Sequence, residues 1–86
     1  AERFPVYSMV KDKVPFDGDF SDIRPELIEA LGEPDDARDG LWYRRESGWT
    51  HVRPSGTEPV IRVICEDASA DTVRAELQRF RKVVSG

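Results

Sequence analysis

Residues 41–66 read LWYRRESGWTHVRPSGTEPVIRVICE, and this stretch decides the fold. Residues 41–46 and 49–53 are two β-rich runs joined by Ser47-Gly48, a small-residue pair of the kind that closes a hairpin. Residues 54–59 hold two prolines and a glycine in six positions, so regular structure stops there. Residues 60–66 are a near-continuous apolar run, which predicts a central strand. Working outward, Val73, Leu77, Phe80 and Val84 fall on one helical face, predicting a helix over residues 70–84. Ser69 suits its N-cap, and Arg79, Arg81 and Lys82 lie near its negative end.

Upstream, residues 33–40 form an acidic loop. A short helix is predicted over residues 25–31, with Pro25 at its first position, Glu26 near its positive end and Gly32 just past its end. Leu27, Ile28 and Leu31 are its apolar stripe. Residues 16–22 read as a polar turn. Residues 4–11 read as a strand, entered through Pro5 and carrying Val6, Tyr7, Met9 and Val10, with Val14-Pro15 ending it. The order is β-α-β-β-β-α. This is an α+β fold: a four-stranded, mainly antiparallel sheet with both helices on one face, and residues 1–86 forming one domain.

Composition bounds the function. Eighty-six residues build only a modest core. Charged residues make up 35% of the chain, and 17 acidic residues against 13 basic give a net charge of −4. A phosphate backbone needs a basic footprint, so non-specific nucleic-acid binding is disfavoured. Ten of the basic residues are arginines, whose planar fork suits bidentate capture of carboxylate or phosphate, so a local anion site is compatible with the acidic average. A single cysteine, Cys65, forms no intrachain disulfide and no multi-thiolate metal site, which points to the cytoplasm. No apolar run approaches membrane-span length, and no basic-then-apolar leader is present. The chain starts at Ala1 rather than Met, which suggests a cut from something longer.

Residues 53–62, Arg-Pro-Ser-Gly-Thr-Glu-Pro-Val-Ile-Arg, carry the candidate chemistry. Pro54 and Pro59 stiffen the loop. Gly56 is expected at positive φ, allowing a ligand close to the backbone. The amides of Ser55, Gly56 and Thr57 can form an anion nest, and the two hydroxyls add donors. Arg53 leaves one strand and Arg62 lies in the next, so both guanidinium groups converge if those strands are neighbours. Glu58 would repel phosphate and is expected to turn away, onto backbone amides or an arginine. Composition alone leaves two readings open: an anion cradle, or a tight β-β connection that merely favours Gly, Pro, Ser and Thr.

The string R-P-S-G-T-E-P-x-x-R resembles the phosphate-binding loop in the fourth, C-terminal domain of the α-D-phosphohexomutases. That family includes phosphoglucomutase, phosphomannomutase and phosphoglucosamine mutase. The flanking Lys13-Val14-Pro15, Asp39-Gly40, Gly48-Trp49, Ile64-Cys65-Glu66 and the terminal helix agree, so the likeness covers essentially the whole chain. It implies a TBP-like domain in which Arg53, Ser55, Gly56, Thr57 and Arg62 bind substrate phosphate. It also implies a complete enzyme that interconverts hexose 1-phosphate and hexose 6-phosphate through a phosphoserine and a bisphosphorylated sugar. There the fourth domain anchors the non-reacting phosphate and closes the cleft, and Mg2+ sits in the second domain. This chain has no Thr-Ala-Ser-His phosphoserine loop, no matching Asp-rich metal loop and no Gly-Glu-x-Ser-Gly sugar loop. The resemblance therefore implies no catalytic residue, no metal and no cofactor in this chain, and no turnover by it alone. The expected partners are hexose phosphates and the other three domains, with no nucleic acid and no membrane.

Other clusters are read as structural. Asp17-Gly18-Asp19 with Asp22 and Arg24 has the wrong spacing for the family's magnesium loop and reads as a solvated turn. Asp35, Asp39, Gly40 and Glu46 have EF-hand spacing, but Ala37 stands at a ligand position and no helix follows. His51 and Cys65 both fall in predicted strands without an orienting acid, so they read as packing residues rather than a nucleophilic pair. Ser55 has no G-x-S-x-G elbow and reads as a donor. Trp42, Tyr43 and Trp49 beside Arg44 and Arg45 read as cross-strand aromatics, and Arg74, Arg79, Arg81 and Lys82 as a solvated face. The rival functions are an RRM-like nucleic-acid module, which shares the sheet-and-two-helix plan, and a protein-interaction module.

Overall fold

Strand pairing among residues 8–86 is carried by three antiparallel ladders. A computed structural model describes residues 8–86, with elements β1 (Ser8–Pro15), α1 (Phe20–Leu31), β2 (Leu41–Arg44), β3 (Gly48–Pro54), β4 (Val60–Asp67) and α2 (Ala70–Ser85). The sheet order is β1-β4-β3-β2, with every neighbouring pair antiparallel. The central position predicted for the VIRVICE strand is therefore found, as is the β-α-β-β-β-α order. Residues 4–7 of the predicted first strand lie outside the described residues. Within them, pairing runs on to Pro15, because Lys11–Pro15 oppose Ile64–Val60 of β4.

Period-two alternation sorts the strands into two faces. Val14, Leu41, Tyr43, Val52, Ile61, Val63 and Cys65 are buried on one face. Ile23 and Leu27 of α1 and Val73, Phe80 and Val84 of α2 close over that face, so both helices lie on one side of the sheet. The register puts Lys11, Lys13, Trp42, Trp49, His51, Arg53, Arg62 and Ile64 on the other, open face.

Local expectations about the first helix and the hairpin are corrected. Helix α1 begins at Phe20, not Pro25, so residues 20–22 are helical rather than part of a turn. Phe20, Ile23 and Leu27 continue the stripe at i, i+3 and i+7, and burial of Ile23 and Leu27 outweighs the hydrogen bond that Pro25 cannot donate to Ser21. Gly32 caps the other end as predicted, its N–H donating to the Ile28 carbonyl at 2.7 Å.

The hairpin also turns one residue earlier than Ser47-Gly48. Arg45 N–H donates to the Gly48 carbonyl at 2.8 Å, so Glu46-Ser47 forms the tip and Gly48 belongs to β3. Glycine is required there by close approach: a Cβ would strike the Glu66 carbonyl and Asp67 of β4. Helix α2 starts where predicted, the Ser69 hydroxyl accepting the Thr72 N–H at 3.2 Å.

A polar knot sits on the buried face, below the hairpin tip. Asp67 is fully buried. It accepts the Arg45 Nε–H at 2.8 Å and the Ser69 N–H at 2.9 Å. Arg45 also donates to the Thr50 hydroxyl at 2.8 Å and approaches Glu76 of α2 at 3.6 Å. Burial pushes the Asp67 carboxyl upward, but the Ser69 N–H, Arg45 and Ser47 together hold it below the usual carboxylate range. No buried side-chain nitrogen or oxygen among the described residues lacks a partner. The knot thus satisfies itself and fixes the hairpin to α2.

Candidate functional site

The Ser55–Pro59 loop joins the central strands β3 and β4. Its shape comes from its own hydrogen bonds. Ser55 N–H donates to the Val60 carbonyl at 3.1 Å, and Val60 N–H to the Glu58 carbonyl at 2.8 Å. The Ser55 hydroxyl oxygen accepts the N–H groups of Thr57 and Glu58, each at 3.3 Å. Phe16 N–H donates to the Pro59 carbonyl at 2.8 Å and ties the loop to the exit of β1.

Two expectations about the loop change. Gly56 is not at positive φ. A Cβ on it would meet nothing within 4 Å, so neither strain nor crowding in the chain calls for glycine. The three-amide nest is also not free as imagined, because the Ser55 and Thr57 amides are used within the loop. The Gly56 amide has no partner among the described residues. The Ser55 hydroxyl, already accepting two N–H groups, keeps its proton for an outside acceptor, and such chains of hydrogen bonds strengthen one another.

The flanking cations do converge. Arg53 and Arg62 are direct register partners, and Lys13 is the partner of Arg62 on its other side. Three cations therefore stand in one row on the open face, at the spacing of adjacent strands. Their neutralisation is loose. Glu58 lies 3.7 Å from Arg62 and 3.6 Å from Lys13, and Asp39 lies 4.0 Å from Arg53. Glu58 has thus turned onto an arginine, but that arginine is Arg62 of the row itself, so its carboxylate does not turn away from the cations. Arg53, Ser55, Gly56, Thr57 and Arg62 all line one concavity of about 320 Å³, together with His51, Pro54 and Ile64.

Sequence reasoning missed Lys13 and His51 at this place. Lys13 is 49 positions from Arg62, and only the β1–β4 register reveals the pairing. His51 Nε2 lies 2.7 Å from the Asp39 carbonyl and, since a carbonyl only accepts, donates to it. His51 also stands edge-on to Trp42 at 5.7 Å. It is half-buried on the open face while Cys65 is buried on the other, so they form no dyad. Trp42 and Trp49 stack on each other at 5.0 Å, as cross-strand aromatics do. In the acidic loop, Asp35 accepts the Arg44 N–H at 2.7 Å and Asp36 pairs with Arg38 at 2.7 Å. The Arg38 side-chain and backbone hydrogen bonds hold the Asp36 carboxyl down at about 2.

Fold and loop define a class: a small α+β domain carrying a basic, hydroxyl-bearing loop at one end of an open sheet face. The chain belongs to the family described as phosphoglucomutase/phosphomannomutase, C-terminal domain, which it matches over residues 10–83. It is 36% identical over 80 residues to a phosphoglucomutase/phosphomannomutase of Thermococcus kodakarensis, covering 90% of this chain and 18% of that protein. It is 35% identical over 88 residues to a probable phosphoglucosamine mutase of Methanothermobacter thermautotrophicus, covering 93% and 20%. A phosphoglucosamine mutase of Methanocaldococcus jannaschii is 30% identical over 88 residues, covering 96% and 20%. The chain thus spans about a fifth of the length of these relatives. No helix among the described residues is long and apolar enough to cross a membrane.

Proposed function

We propose that this chain is the phosphate-gripping wall of a phosphohexomutase, an enzyme that interconverts hexose 1-phosphate and hexose 6-phosphate. The observation that carries the reading is the row Lys13–Arg62–Arg53. Like charges directly opposite one another on a sheet are unfavourable, so a row of three at the mouth of a hydroxyl-bearing loop calls for an anion. Arg53 and Arg62 supply charge-assisted forks, and the Ser55 hydroxyl and Gly56 N–H supply single donors between them. Thr57 adds a second hydroxyl at the rim.

The grip acts through position. A phosphate held here orients the far end of the sugar, where the chemistry occurs, so remote binding energy becomes orientation. One anchor serves both orientations of a bisphosphorylated intermediate, because either phosphate presents the same three-oxygen face. The reacting serine, the sugar-reading residues and magnesium belong to the other domains in this proposal. The residues here do not suit magnesium: the loop offers guanidinium, ammonium and hydroxyl groups, and its nearby carboxylates, Glu58 and Asp39, already face cations. The phosphoglucosamine mutase reading rests on the same residues, since the sugar is not read in this chain. A cytoplasmic location belongs to the proposal and rests on the single unpaired cysteine.

In the complete mutase, Arg53→Ala is expected to lower kcat/KM by about 2–4 kcal/mol equivalent, the loss of a charge-assisted anchor. The 86-residue chain alone is expected to turn over no hexose phosphate. An Arg53→Ala enzyme with unchanged kcat/KM would remove the anchor role.

A further inference from the structure

Glu58 is the acidic residue in an otherwise cationic and hydroxylic loop, and its place is informative. Its carboxylate reaches Lys13 at 3.6 Å and Arg62 at 3.7 Å, beyond hydrogen-bond distance, with Lys13 and Arg62 each more than half exposed. These are Coulombic contacts in high dielectric, which cost little to exchange. By contrast, Arg45 and Asp67 hold each other at 2.8 Å in the core. The Glu58 backbone is fixed independently of its side chain. Its N–H donates to the Ser55 hydroxyl, and its carbonyl accepts from Val60. The carboxylate can therefore swing away without unmaking the loop.

We propose that Glu58 is a built-in anion that occupies the cation row of the empty chain and is expelled by an incoming phosphate. Expulsion frees Arg62 and leaves Lys13 as a third cationic arm of the phosphate site, beside Arg53 and Arg62. The inference rests on the phosphate-grip reading and deepens it. Three consequences follow from the charges. One carboxylate beside two of the three cations lowers the repulsion within the empty row without cancelling it. Phosphate pays an exchange rather than a full gain, so the grip is weaker than its cations alone would make it. A moderated grip suits an anchor that must release and re-engage a ligand.

The test is titration of this chain with inorganic phosphate at low ionic strength, followed by amide and carboxyl NMR. Glu58→Gln keeps the shape and removes the charge. It is expected to tighten phosphate binding by about three- to fivefold, the size of a half-exposed ion-pair effect. Lys13→Met is expected to weaken binding by about threefold on the same scale. In the parent chain, phosphate should move the Glu58 side-chain carboxyl resonance. Equal or weaker binding by Glu58→Gln with its loop amides in place would overturn the proposal. So would a Glu58→Gln chain whose loop amides scatter, since Glu58 would then be a structural strut. If neither parent nor Glu58→Gln binds phosphate and Arg53→Ala changes nothing, the phosphate-grip reading itself fails. Binding by the parent that is lost in Arg53→Ala but indifferent to Glu58 sinks only the expulsion.

Discussion

Neutralising Arg62 separates a functional cation row from a structural one. Arg62 faces Lys13 on one side and Arg53 on the other. Each like-charge opposition costs about 0.2–1 kcal/mol. The only compensating contact found for Arg62 among the described residues is Glu58 at 3.7 Å, half-exposed and worth about 0.2–1 kcal/mol. Arg62→Gln removes two repulsions and one attraction. The free chain should therefore be unchanged or more stable by up to about 1 kcal/mol, with a Tm rise of no more than about 8 °C for a domain of this size. Phosphate should act in the opposite sense. At ten times its Kd it stabilises the parent by about 1.4 kcal/mol, and this increment should vanish in Arg62→Gln. Thermal melts of both chains, with and without phosphate, give all four numbers. A variant destabilised by more than about 1 kcal/mol and still stabilised by phosphate would mean that Arg62 holds the sheet and not the ligand.

Gly56→Ala should leave the Tm unchanged or slightly higher, since φ is not positive and the Cβ meets no neighbour, while weakening phosphate binding; a folding defect by urea melt would refute this. Asp67→Ala should cost about 3–4 kcal/mol by urea denaturation, because it strands the Arg45 guanidinium in a partly buried site; a loss under 1 kcal/mol would show the knot to be dispensable. Asp67 also sets an acid limit. Its folded carboxyl lies below the ordinary range, so its contribution is fully present above about pH 4–5 and is lost as pH falls through the folded value, a component that pH-dependent melts of Asp67→Asn should lack. Tyr43 sets an alkaline limit. Burial, with Glu76 and Glu33 nearby, pushes its hydroxyl up to about 12, and it donates to the Gly32 carbonyl at 2.8 Å. Its contribution is present below about pH 10 and lost as pH rises towards 12, which phenolate absorbance should follow; a normal titration near 10 would contradict the buried placement.

The loop was legible because its information is local. Two prolines, a glycine and two flanking arginines state where regular structure stops and which charges leave it. The helix α2 was legible because its cap and stripe are both written in residues 69–84. Missed features depended on distance along the chain. Lys13 joins the cation row through a ladder to β4, and no feature of Lys13 alone announces that register. The Arg45–Asp67–Glu76 knot likewise couples three elements. Where local rules conflicted, packing decided. Pro25 argued for a helix start, but the buried Ile23 drew the helix back to Phe20. Gly48 argued for a turn tip, but the steric demand of β4 placed it inside a strand. Gly56 shows the reverse case: glycine without a strained backbone or a crowded Cβ points outside the chain, to whatever approaches the loop.

A titration of uniformly labelled chain with inorganic phosphate and with glucose 1,6-bisphosphate, read by amide and arginine side-chain NMR, tests the proposed phosphate grip in this chain alone. Saturable shifts centred on Ser55, Gly56, Thr57 and the Arg53 and Arg62 side chains are expected. Absence of shifts up to tens of millimolar, a limit of only about 2–3 kcal/mol of binding, or shifts centred away from the loop, would contradict a preformed phosphate site.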